Sequence, residues 1–215
     1  MSAVAPAPET AEKQQRVFNA KRIYSIPIPG PEGDVVYRVR FPTDEEWCQR
    51  ARKLIAVRRN LGRDATQTEY RDEMPIGLEL AEKILEGDSP KPDEWDAKTI
   101  LDELALCELS PETGQADTFY LIEMKVLRAT VRHRLKVPTQ KQIGEYNRES
   151  LRATGRRNSV EYRTPLEPAG ELWDKLQVGV DGYEGDVPII HKRVAVEELI
   201  AQIQNRVHAG IDPED

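Results

Sequence analysis

Two stretches of this chain carry the same punctuation. "YRVRFPTDEEW" (Tyr37–Trp47) and "HRLKVPTQKQI" (His133–Ile143) each alternate like a strand, stop at a proline and restart from a threonine. Proline cannot donate to a strand ladder, and a threonine side chain accepts from first-turn amides, so each stretch reads as strand, Pro-Thr joint, helix. The match extends along the chain. Arg38, Pro42 and Thr43 recur 96 residues later as Arg134, Pro138 and Thr139. "GR" at Gly62 recurs at Gly155, "EYR" at Glu69 recurs at Glu161, "ELAEKI" at Glu79 is answered by "ELWDKL" at Glu171, and "DEL" at Asp102 by "EEL" at Glu197. The five offsets lie between 92 and 96 and keep chain order, which predicts two copies of one supersecondary unit.

The unit can be drawn from its first copy. "VFNAKRIYSIPIP" and "VVYRVRF" flank the turn composition "GPEGD", which predicts a β-hairpin. Thr43 and Glu46 have capping-box spacing, and Asp44, Glu45 and Glu46 suit a helix N-terminus. Trp47, Ala51, Leu54, Ile55 and Leu61 recur at helical spacing as far as a stop at Gly62. A polar link, "RDATQTEYRDE", leads to a second helix over "PIGLELAEKILEG", opened by Pro75 and closed by Gly87. A third helix is predicted over "PDEWDAKTILDELALCEL", with Trp95, Ile100, Leu101, Leu104 and Leu109 facing inward. Residues 118–137 fit either a helix or two strands; the duplication favours a second hairpin. The fold class that follows is α+β, a tandem pseudo-duplication of a β-hairpin plus three-helix unit, with helices predominating. The expected organisation is a disordered tail over 1–15, a first unit over 16–110, a second over 111–210 and a flexible C-terminus over 211–215. The two hairpins are expected to pair into one antiparallel sheet.

Charge and composition narrow the function classes. The net charge of −7 argues against nucleic acid as the main partner, because phosphate binding needs a concentrated basic face. Arg50, Arg52, Lys53, Arg58, Arg59 and Arg63 are interleaved with acids and read as a solvated helix face. Cys48 and Cys107 are isolated, as ordinary thiols of a reducing compartment are. No run has the length of a membrane span and the N-terminus lacks a signal-peptide pattern, so the expectation is a cytoplasmic protein with no membrane partner.

No motif names a reaction. His133, His191 and His208 lack metal-ligand spacing, "PGPEGD" and "GVDGYEGD" lack a phosphate-cradling glycine pattern, and no nucleophile elbow occurs. The sequence therefore predicts no catalytic residue, no cofactor and no metal, with a small enzyme of unrecognised site as the alternative. Interaction candidates are aromatic. Trp47, Trp95 and Trp173 stand at core-like helical positions and read as packing anchors or, alternatively, partner hot spots. Tyr70 and Tyr162, in the paired "EYR" segments, either lock a polar link onto the core or face a partner. Tyr183, in "GYEGDVP", completes the set.

"VVYRVRFPTDEEWCQRARK" and "ELWDKLQVGVDGYEGDVPIIHKRVAVEELI" resemble segments of accessory tail proteins of tailed phages and prophages, most of all tail assembly chaperones. The likeness covers about half of the chain in scattered pieces. Such chaperones are often shorter and mostly helical, and a duplicated α+β chain departs from that pattern. The resemblance implies a non-enzymatic morphogenesis protein in the host cytoplasm that binds other phage structural or assembly proteins, such as a tape-measure or tube protein. A structural component of tail, neck or capsid, incorporated in the virion, is the alternative within the same resemblance.

Overall fold

The computed structural model describes residues 17–54, 57–60, 66–69, 72–110, 114–116, 118–150, 153–154, 161–162 and 166–208, with the backbone alone for 57–60, 66–69, 115–116, 153–154, 161–162 and 206–208. The first half runs β1 (Ile23–Ile28), β2 (Val35–Arg40), α1 (Asp44–Leu54), β3 (Val57–Asn60), β4 (Thr66–Glu69), α2 (Glu73–Ile84), α3 (Glu94–Ala105). Two short strands follow, β5 (Cys107–Leu109) and β6 (Gly114–Ala116). The second half runs β7 (Phe119–Val126), β8 (Ala129–Leu135), α4 (Gln140–Ser150), β9 (Ala153–Thr154), β10 (Glu161–Tyr162), α5 (Leu166–Leu176), β11 (Gln177–Asp181), α6 (Ile189–His208). The chain is a mixed α+β protein in which helices predominate.

The order hairpin, helix, hairpin, helix, helix is written twice, and the contacts repeat with it. Tyr24 pairs with Val39 and Ile26 with Tyr37; 96 residues on, Tyr120 pairs with Leu135 and Ile122 with His133. These residues face the core in both hairpins, because alternate strand side chains share a face. After each Pro-Thr joint the same capping box closes. Thr43 N donates to Glu46 Oε2 at 2.9 Å and Glu46 N to Thr43 Oγ1 at 3.3 Å. Thr139 N donates to Gln142 Oε1 at 2.8 Å and Gln142 N to Thr139 Oγ1 at 3.2 Å. The bridge between Val39 and Leu85 likewise has its counterpart in Leu135 and Gln177.

Several expectations are corrected. The hairpins do not share a sheet. β1–β2 stands alone, whereas β7–β8 lies inside the five-stranded antiparallel sheet β11-β8-β7-β5, with β6 also on β7. The outer edge of β2 is occupied instead by the chain after α2: Glu86 N donates to the Arg38 carbonyl at 2.8 Å. Helix α1 ends at Leu54 rather than continuing to Leu61, and the polar link is a second hairpin in which Val57 pairs with Glu69 and Arg58 with Thr68. Cross-strand hydrogen bonds win there over a helical spacing that held only two more apolar positions. Helix α2 starts at Glu73, not Pro75, because Asp72 caps it by accepting from Met74 N at 3.0 Å, and it ends at Ile84, before Gly87. Helix α3 stops at Ala105. Cys107–Leu109 becomes β5 on the edge of β7, which leaves Leu109 exposed, and Trp95 is exposed rather than inward. Within "GVDGYEGD", Gly182, at φ +85°, brings its Cα so close to the Thr130 carbonyl that a Cβ would lie 2.3 Å from that oxygen. The second hairpin over residues 119–135 is present as expected. Residues 1–15 and 211–215 lie outside the described residues.

The core draws on both copies. α2 packs on α3 and α5 on α6, while α1 also touches α5 and α6. Ile100, Leu101 and Leu104 of α3 and Ala195, Val196 and Leu199 of α6 are buried. Asp44, in the first turn of α1, reaches across to accept a hydrogen bond from Ile189 N, the first residue of α6, at 2.8 Å. Among the described residues no helix is long and apolar enough to cross a membrane.

Candidate functional site

The copies differ most usefully in a groove that both possess. In the first copy it runs between α1 and α2 and is lined by Glu46, Gln49, Arg50, Lys53, Ile76, Glu79, Leu80 and Lys83. In the second it runs between α4 and α5, where the lining includes Gln142, Glu145, Tyr146, Glu149, Pro168, Glu171, Leu172 and Lys175. Every residue of the first set has its counterpart in the second, 96 positions on for the first helix and 92 for the second. Equivalent residues of the two repeats thus line equivalent grooves.

Ion pairs close the first groove. Glu46 is buried and accepts from Arg40 through both oxygens at 2.8 Å, from Thr43 N, and from Lys83 at 3.0 Å. The Arg40 guanidinium, with the Thr43 amide and Lys83 behind it, holds the Glu46 carboxyl well below the usual carboxylate range against the opposing effect of burial. Lys53 pairs with Glu79 and Arg50 with Glu73 across the helix interface. The remaining volume is about 40 Å³. In the second copy Gln142 stands for Glu46, Tyr146 for Arg50 and Glu149 for Lys53. That groove is about 280 Å³, with an apolar floor at Leu172 and Pro168 and a rim of both charge signs.

The six aromatic candidates do not converge. Trp47 is 2% exposed in the core against Phe41, and Trp173 is 3% exposed with Lys192 Nζ 4.6 Å from its ring centroid. Trp95, in the first turn of α3, is 72% exposed beside Glu94. Tyr70 and the side chain of Tyr162 lie outside the described residues. Tyr183 is half-buried, with its hydroxyl turned inward to a histidine chain that sequence reasoning treated residue by residue. Trp173 Nε1 donates to His133 Nδ1 at 3.0 Å, His133 Nε2 lies 2.9 Å from Tyr183 Oη, and Tyr183 Oη lies 3.3 Å from His191 Nδ1. An indole can only donate, so His133 carries its proton on Nε2 and donates to Tyr183, which donates on to His191. His191 Nε2 is buried and has no hydrogen-bond partner among the described residues. Burial pushes both histidines down to about 3, so the chain is a neutral structural network.

Ionic and thiol chemistry elsewhere is also structural. Arg50, Arg52 and Lys53 pair with Glu73, Glu167 and Glu79. Cys48 is buried, and burial pushes the Cys107 thiol up to about 12, far from thiolate reactivity. Among the described residues no group of three or more His, Cys, Asp or Glu is placed to hold a metal ion. Comparison with known proteins finds no matching family model, no matching curated protein and no matching solved structure.

Proposed function

We infer that the chain acts by binding other proteins, as a morphogenesis protein of the tailed-phage accessory type that its sequence resembles, with the α4–α5 groove as the contact. The observation that supports this reading is the divergence of the paired grooves. One copy bridges its groove with its own ion pairs, and the other replaces those groups and keeps a larger apolar-floored cleft. A surface maintained open in one copy of a duplicated unit is where partner binding can be gained without loss of the scaffold. A tail assembly chaperone would bind a tape-measure or tube protein before assembly and be absent from finished particles.

The test closes the second groove with the first copy's chemistry. In Gln142→Glu/Glu149→Lys, the new carboxylate meets Lys175 and the new ammonium meets Glu171, as Glu46 meets Lys83 and Lys53 meets Glu79. The variant is expected to keep its thermal midpoint and to lose co-purification with tail tube or tape-measure protein. Undiminished co-purification would remove the groove from the interface. Mass spectrometry of purified particles separates a chaperone, absent from them, from a virion component.

A further inference from the structure

The second surface lies along β1, remote in sequence from the α4–α5 groove. Pro27 sits opposite Val36 and has no N–H, so the Pro27–Val36 pair is not hydrogen-bonded, and neither are Ser25–Arg38 and Ile23–Arg40. Arg38 confirms the phase: its amide donates to Ser89 Oγ and its carbonyl accepts from Glu86 N, both away from β1. The amides and carbonyls of Ile23 and Ser25 therefore point to the outer edge of β1. Among the described residues no strand pairs with that edge.

The other copy shows what covers it. The equivalent residues of β7, Phe119 and Leu121, pair with Ala116 and Gly114 of β6, an antiparallel three-residue strand. By the 96-residue offset the counterpart of β6 is Phe18–Ala20, and these residues are used elsewhere. Phe18 N donates to the Gly182 carbonyl and Glu184 N to the Phe18 carbonyl, each at 2.8 Å, which ties the first copy to the second. Among the described residues, the edge of β1 is thus left without the strand that its repeat partner has.

A cleft of about 440 Å³ runs beside this edge, bounded across by the β7–β8 turn. Val17, Ile23, Pro27, Val126, Leu127 and Ala129 line it beside the charged Arg22, Glu103 and Arg128, and Val17 and Ile23 are each 44% exposed. Leu127 lines it at φ 54°, a left-handed conformation that a leucine adopts at a cost and that glycine or asparagine would take freely. The strain is retained where an apolar side chain faces the cleft.

We propose that the β1 edge takes a single extended segment of a partner protein, antiparallel to β1 and hydrogen-bonded to Ile23 and Ser25, with apolar side chains entering the cleft toward Leu127. The mode is strand addition, in which the edge supplies main-chain bonds and the cleft selects alternate side chains. Pro27 limits the pairing to about the three residues that β6 spans. On the equivalent edge of β7 a single three-residue strand, β6, makes these bonds, and one short extended segment is the occupant that this precedent fits.

The test uses the full chain and a soluble peptide, acetyl-Lys-Val-Thr-Val-Thr-Lys-amide, followed by amide exchange and NMR shifts. In the free protein the Ile23 and Ser25 amides should exchange much faster than those of Tyr24 and Ile26, which bond to β2. The peptide should slow them and give saturable shifts at Ile23, Ser25 and Leu127. Ser25→Pro removes one edge donor without touching the bonds to β2, as Pro27 already does, and should weaken the peptide about tenfold with the thermal midpoint retained. A peptide N-methylated on its pairing face should fail against the wild-type chain, which keeps the test valid if the proline variant does not fold. The proposal is overturned if Ile23 and Ser25 are already protected in the free chain, if the peptide gives no saturable shifts, if neither change weakens it, or if the shifts follow dimer formation instead.

Discussion

Glu46 binds three elements together: Arg40 at the end of β2, Thr43 at the joint and Lys83 of α2. Replacement by glutamine, the residue at its counterpart Gln142, keeps the capping box and removes the ion pairs. Glu46→Gln should cost about 1–3 kcal/mol at neutral pH. Because the folded carboxyl titrates below its ordinary 4.5, its stabilisation is complete above that value and is lost as pH falls through the folded pKa. The gap between wild type and variant in urea unfolding should therefore narrow steadily below pH 4.5; a constant gap down to pH 2 would refute the ion-pair account. His133 and His191 work in the same direction for the opposite reason. Each is kept neutral by burial and titrates near 3 instead of 6.5. Their full contribution is present above pH 6.5, and stability falls between there and pH 3 by up to about 1.4 kcal/mol per pH unit for each ring. His191→Phe should roughly halve that slope while the transition stays cooperative.

At the scale of elements, acidic charge at the start of α1 is more than a match for the helix dipole. Asp44 caps α6 of the other copy through Ile189 N, whereas its counterpart Gln140 is exposed with no such contact described. Asp44→Ala should cost about 1 kcal/mol and Gln140→Ala less than about 0.5 kcal/mol in paired thermal melts. The asymmetry of the two joints was visible in the sequence, but its cause was not, since the capped helix begins 145 residues away. Strong local signals carried well. The Pro-Thr joints and the Thr43–Glu46 capping box follow from residues adjacent in the chain, whereas the hairpin over 119–135 was legible only through the repeat. The β3–β4 hairpin was missed because its strands are short and mostly polar, so neither alternation nor apolar run marked them. Trp95 was misplaced because the buried stripe of Ala97, Ile100, Leu101 and Leu104 lies on the opposite face of a 3.6-residue helix, which its apolar character alone did not show. The paired grooves could have been found: aligning the copies shows Lys53 exchanged for Glu149 and Arg50 for Tyr146.

For the whole molecule, the halves are joined more closely than a tandem of separate domains. β5 of the first half is a strand of the second half's sheet, Phe18 bridges to Tyr183, and Arg52 of α1 pairs with Glu167 of α5. One cooperative unfolding transition is expected for the full chain, with fluorescence and far-UV circular dichroism coincident. A fragment ending at residue 110 should lack a cooperative transition, because it would expose the apolar faces of α1 and the β1–β2 hairpin. Two resolved transitions in the full chain would contradict this.

The sequence by itself determined the α+β class, the repeat pattern and the two Pro-Thr joints where a strand stops and a helix begins. These depend on side chains acting within one turn or one strand pair. Only the tertiary structure decided which strand edges are covered, which of the two grooves is open, and that His133, Tyr183 and His191 form one buried chain. Those outcomes depend on which copy reaches across to the other. Phe18–Ala20 and Gly114–Ala116 occupy equivalent places in the repeat, yet one crosses to the other half and one pairs with its own strand. Phe18 is the better strand former of the two starts, yet it is Gly114–Ala116 that joins its own hairpin, so the competition between long-range contacts separates them.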